Sequence, residues 1–164
     1  MLVLLLLTAC RQGEATPQAE ALPEAGRDSL QLPQTIALST EAQASAEGWA
    51  AFSTLQNRIE SIYRTRSTED LELLLEELVE ACKELETSEF PEPFNKPSVR
   101  SREKVFRTFL QKAQADLHYR VDAGESLNQA MQAYNALREQ LNRVAVGDLD
   151  PTIFEHEKDT TTAN

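Results

Sequence analysis

Leu127, Ala130, Tyr134, Leu137, Leu141 and Val144 recur at intervals of three and four. That spacing puts all six on one face of an α-helix and on no single face of a strand. Two further stripes obey the same period. Phe52, Leu55, Ile59 and Ile62 form one, with Trp49 and Tyr63 at its flanks. Leu71, Leu75, Leu78, Cys82 and Leu85 form the other, widened by Leu74 and Val79 so that it can touch two neighbours. A chain with this patterning, five glycines and 6% aromatic residues is expected to be all-α: a small antiparallel helical bundle of three or four helices.

Helix boundaries follow from capping chemistry and proline. Thr40 and Gln43 have capping-box spacing, so a first helix is expected from Thr40 to about Arg66. Ser67 and Asp70 mark the next start, after a join of a few residues that implies a helical hairpin. Pro91, Pro93 and Pro97 then forbid a helix, with Phe90 and Phe94 expected to cover one end of the bundle, or else to form a binding loop. A third stretch begins near Ser98, its face marked by Phe106, Leu110, Ala113, Leu117 and Val121, with Phe109 beside them. The stripe from Leu127 lies about 100° round from that face. Either the chain breaks at "VDAGES", with Asp122 and Glu125 as a capping box, or one long helix turns its face; the break, giving four helices, is preferred.

Charge refines the packing. Ser67 to Thr87 carries eight acids and one lysine, whereas Lys96 to Val121 carries seven Lys or Arg and two acids. These segments are expected side by side, although each surface pair contributes only about 0–1 kcal/mol. An anion or acidic partner at Arg100, Arg102, Lys104 and Arg107 is the functional alternative. The net charge of −11 argues against nucleic acid, whose binding needs a basic surface.

The chain opens "MLVLLLLTAC". Leu2 to Leu7 is an apolar run far too short to span a bilayer, which takes about 20 residues, and it ends in small residues as secretory signals do. Leu7-Thr8-Ala9-Cys10 resembles the lipobox of bacterial lipoproteins. The resemblance covers these first ten residues. It implies cleavage between Ala9 and Cys10, a diacylglycerol on the Cys10 thiol, and attachment to a membrane through that residue. Residues 1–9 contain no Lys or Arg, so the true start is expected upstream or the chain is truncated. Arg11 in place of Asp suggests, by the enterobacterial pattern, an outer membrane facing the periplasm; a Gram-positive surface is the alternative.

The organisation read from the sequence is therefore a signal peptide over 1–9, the lipidated cysteine and a flexible tether over 10–39, a helical body over 40–146 and a C-terminal tail over 147–164. The tether has Pro17, Pro23 and Pro33 and few large apolar residues, and as a coil it would reach roughly 30 Å; its end, Leu30 to Leu38, can dock on the body. Ile153 and Phe154 of the tail can tuck against the bundle.

Chemistry-bearing constellations are scarce. No Glu stands three residues before His118 or His156, as a di-metal bundle would require. No haem, zinc, phosphate-loop, dinucleotide or nucleophile-elbow motif occurs. Cys82 lies on an apolar stripe, which predicts a buried, inert thiol. Asp116 and Glu103 carry no signal beyond ordinary helix surface. No catalytic residue, metal or cofactor is expected, and the chain is expected not to be an enzyme. The expected role is a non-catalytic interaction or scaffold module of the cell envelope, with a protein partner or self-association. A carrier of a small apolar ligand between the helices is the alternative.

Overall fold

The computed structural model describes residues 32–147. Within them the order is a strap (residues 32–39), α1 (Thr40–Ser45), α2 (Ala50–Ile62), α3 (Thr68–Thr87), a 3-10 turn (Glu92–Phe94), α4 (Pro97–His118) and α5 (Gly124–Ala145). The expected all-α bundle is what the chain forms: α2 packs on α3, α3 on α4, α4 on α5. Among the described residues no helix is long and apolar enough to cross a membrane. Residues 1–10, with Ala9 and Cys10, most of the tether and the tail from 148 onward lie outside the described residues.

Several helix starts are set by an acceptor for a first-turn N–H or by a residue that lacks one. Ser67 Oγ accepts from Asp70 N at 3.0 Å, and Glu69 and Asp70 add negative charge at the positive end of α3. Pro97 opens α4, where a missing N–H costs nothing. The 119–123 turn separates α4 from α5, so the chain breaks there. Asp122 and Glu125 do not form a capping box: Asp122 Oδ1 accepts from Gly124 N at 2.9 Å, and Ala123 occupies the cap position.

The first helix departs from expectation. Ser39, not Thr40, is its cap, accepting from Ala42 N at 3.2 Å from an extended backbone. It does not run to Arg66. The chain turns at Gly48, whose φ is +79°, and α2 ends at Ile62. The cause is tertiary: α1 lies against α5, while Trp49 is fixed elsewhere. Val121 also departs from expectation; it is exposed in the turn beyond α4, because the helix has already ended.

Core packing follows the stripes. Leu71, Leu75, Leu78, Cys82 and Leu85 are buried, with Leu74 and Val79 buried beside them. Phe106, Leu110 and Ala113 meet Leu127, Ala130, Tyr134, Leu137 and Leu141 across α4 and α5. One end is closed by Trp49, Phe52, Phe90 and Phe94; the Trp49 ring lies 5.1, 4.8 and 5.7 Å from the other three centroids. Trp49 Nε1 donates to Ser88 Oγ at 2.9 Å, so the indole is packed and satisfied. Trp49→Ala is expected to destabilise the protein by about 3–5 kcal/mol, from the ring burial and the cavity left. Urea denaturation followed by far-UV circular dichroism measures it.

Candidate functional site

α5 has two working faces. One carries the core stripe; the other carries Asn135, Arg138 and Asn142, spaced by three and four and so stacked along one line. Against that line runs the strap, parallel to α5.

The bonds between them read main chain. Asn135 Oδ1 accepts from Ile36 N at 3.0 Å, and its Nδ2 donates to Gln34 O at 2.8 Å. One helical turn pair later, Asn142 Oδ1 accepts from Ser39 N at 2.8 Å and its Nδ2 donates to Ala37 O at 3.1 Å. Each side-chain amide thus does what a neighbouring β-strand would do: it accepts from one peptide N–H and donates to one peptide C=O. Between them Arg138 Nε donates to Ile36 O. The Arg138 side chain is 8% exposed, and its Nη1 donates to Tyr134 Oη at 3.2 Å, which holds the fork in place. From the C-cap of α2, Tyr63 Oη donates to Pro33 O at 2.7 Å.

The strap thus bridges α5 and Tyr63 at the end of α2. Within the tether expected over 10–39, the segment from Leu32 to Ser39 docks on the body, the alternative left open for Leu30 to Leu38, because α5 supplies partners for the strap's peptide groups. Leu32 and Leu38 pack partly against the core, but no strap residue is fully buried. The strap is retained by these main-chain hydrogen bonds together with the packing of Leu32 and Leu38.

A second feature lies between α3 and α4. Glu103 is 1% exposed, and its Oε1 has no hydrogen-bond partner. Burial raises its carboxyl to about 7, opposed by Arg107, with Glu86 raising it further. Arg107 itself pairs with Glu86, and Lys104 lies 3.8 Å from the same carboxylate. Burial likewise pushes the Cys82 thiol far up, so the reactive thiolate is disfavoured. The Glu103 reading as surface is therefore corrected. Val99, Glu103, Phe106, Leu110 and Ala113 share one three-four stripe, and that spacing was the available signal.

The other candidates do not converge. Asp116 sits by the start of α5, held below the ordinary carboxylate range by the Ser126 hydroxyl and Lys112. His118 is exposed, 3.9 Å from Glu72. Arg100 stacks over Phe90 at 4.1 Å and donates to Asn95 Oδ1, while Arg107 turns to Glu86 and Arg102 is exposed. Lys104 and Arg107 share the Glu86 carboxylate of the chain itself, Arg100 is engaged by Phe90 and Asn95, and Arg102 lies apart, so the four cations do not frame an open anion site. Among the described residues no group of three or more His, Cys, Asp or Glu is placed to hold a metal ion. Comparison with protein-family models, curated proteins and solved structures finds no match to this chain.

Replacing Asn135 and Asn142 together by Ala is expected to remove hydrogen-exchange protection at Ile36 and Ser39 and leave the centre of α5 protected; amide exchange read by NMR checks this. Glu103 gives a pH prediction. Between the ordinary value of 4.5 and about 7 the folded chain holds a proton that the unfolded chain has lost. Stability therefore falls as pH rises through that window. Glu103→Gln should flatten the fall and, at pH 8, exceed wild type by about 1–3 kcal/mol in urea unfolding.

Proposed function

We propose that this chain is a bacterial lipoprotein. In this reading Cys10 is the acyl acceptor, Leu7, Thr8 and Ala9 are read by the processing enzymes, and the helical body stands off the membrane on residues 11–31. Arg11 in place of Asp favours an outer membrane facing the periplasm over retention on the inner membrane, with a Gram-positive surface as the alternative. The lipobox-like residues support the anchor. Two acyl chains are enough for stable attachment without a membrane-spanning helix.

The body acts as a non-catalytic interaction module, and its working surface is the α5 line of Asn135, Arg138 and Asn142. The observation that carries this is the pair of amides that each take both bonds of an extended peptide. Such a face suits polypeptide recognition by main chain. The mutual packing of Trp49, Phe52, Phe90 and Phe94, and of Phe106 with Tyr134 at 5.2 Å, supports this reading over a carrier of apolar ligands.

Intact mass of the membrane-extracted protein tests the anchor. Wild type is expected to begin at Cys10 and carry lipid mass, and Cys10→Ala to lack it; a lipid-free wild type would sink the reading. For the module, a photocrosslinker placed at Glu139 on α5 should give adducts in the native envelope that one at Glu76 on α3 does not. Identical adduct patterns from both sites would count against the α5 face.

A further inference from the structure

The strap and α1 form an arm, residues 32–45, that is distinct from the four-helix body in three ways. First, α1 packs chiefly against α5. An open depression of about 750 Å³, bordered by Thr40, Gln43, Gly48, Ser53 and Gln56, lies beside the α1–α2 link. Second, the arm joins the body through Glu47 and Gly48. Gly48 has φ +79°, and a Cβ there would meet no heavy atom within 4 Å, so the link is uncrowded. Third, Ala42, Ala46, Trp49 and Phe52 are spaced by four, three and three, one face of an uninterrupted helix from Thr40 into α2. The sequence thus supports a straight link where the structure has a folded-back one.

We infer that this arm is exchangeable and that its alternative acceptor is the α5 face of a second copy of this chain. With Gly48 and Trp49 both turned helical, α1 continues into α2 and the arm projects past the Trp49 end of the bundle, out of reach of its own α5. Two copies in that state each supply the other's strap. Asn135, Arg138 and Asn142 bond peptide groups, and an identical strap offers identical groups, so the contacts of the folded-back arm can all be remade between copies. Exchange of this kind is a low-cost route to a dimer when the hinge prefers to straighten. The inference names the partner of the α5 face, rests on that reading of α5, and is independent of the lipid anchor.

The test uses the full chain with Cys10→Ser, so that no acyl group associates the copies, and reads mass by light scattering after size exclusion. Gly48→Ala disfavours positive φ and favours helix. It is expected to raise the dimerisation constant roughly tenfold. Adding Asn135→Ala and Asn142→Ala is expected to abolish that gain. A Gly48→Ala chain no more dimeric than its parent overturns the exchange, as does a dimer that survives loss of both asparagines. Refolding the Cys10→Ser chain at high concentration decides without touching Gly48: a dimer that persists on dilution is expected, and monomer alone overturns the exchange. Amide exchange separates the two failures. Ile36 and Ser39 protected in a monomer sinks the exchange alone; the same amides unprotected in every form sinks the α5 reading with it.

Discussion

An extended peptide brings unpaired N–H and C=O groups wherever it lies, and inside a protein those groups need partners. α5 supplies them with Asn135, Arg138 and Asn142, and much of the architecture follows from that supply. The strap can then lie along α5 without a sheet. Because Ser39 N is bonded to Asn142, Ser39 is extended and free to cap α1 with its hydroxyl. α1 is thereby directed onto α5, and the chain has to turn at Gly48 to bring Trp49 to the end of α2.

The rest of the body is governed by apolar burial along three-four stripes, with two polar intrusions of different character. Arg138 is buried but satisfied, by Ile36 O and Tyr134 Oη. Glu103 is buried with Oε1 unpartnered, and burial holds its carboxyl well above the usual carboxylate range. A satisfied polar group ties two elements together; an unsatisfied one makes stability depend on pH. The opposite charges of α3 and α4 meet chiefly around Glu86, where Arg107 and Lys104 converge. Most other α3 acids point to solvent, so charge guides the pairing of these helices less than the apolar stripes do.

Legibility differed by the range of the interaction. Ser67 capping Asp70 lies within four residues, and the periodicity of α3 and α5 within a few turns, so both were readable. Glu103 was readable in principle, since it completes the stripe of Val99, Phe106 and Leu110, but its charge suggests surface. The α5 line was not readable. Its partners lie 99 to 105 residues away in the chain, and an Asn on a helix looks the same whether it faces water or a peptide.

The sequence by itself determined that the chain is helical, where proline interrupts it, and which stripes are apolar, because these depend on backbone chemistry and local period. Its opening residues also carry the lipobox resemblance without reference to any fold. Only the tertiary structure decided that Gly48 is a turn rather than part of a helix, that residues 32–39 belong to the body, and that Asn135 and Asn142 hold main chain. In each case the deciding partner comes from a distant element, and local propensity is too weak to oppose packing and peptide hydrogen bonds once they are available.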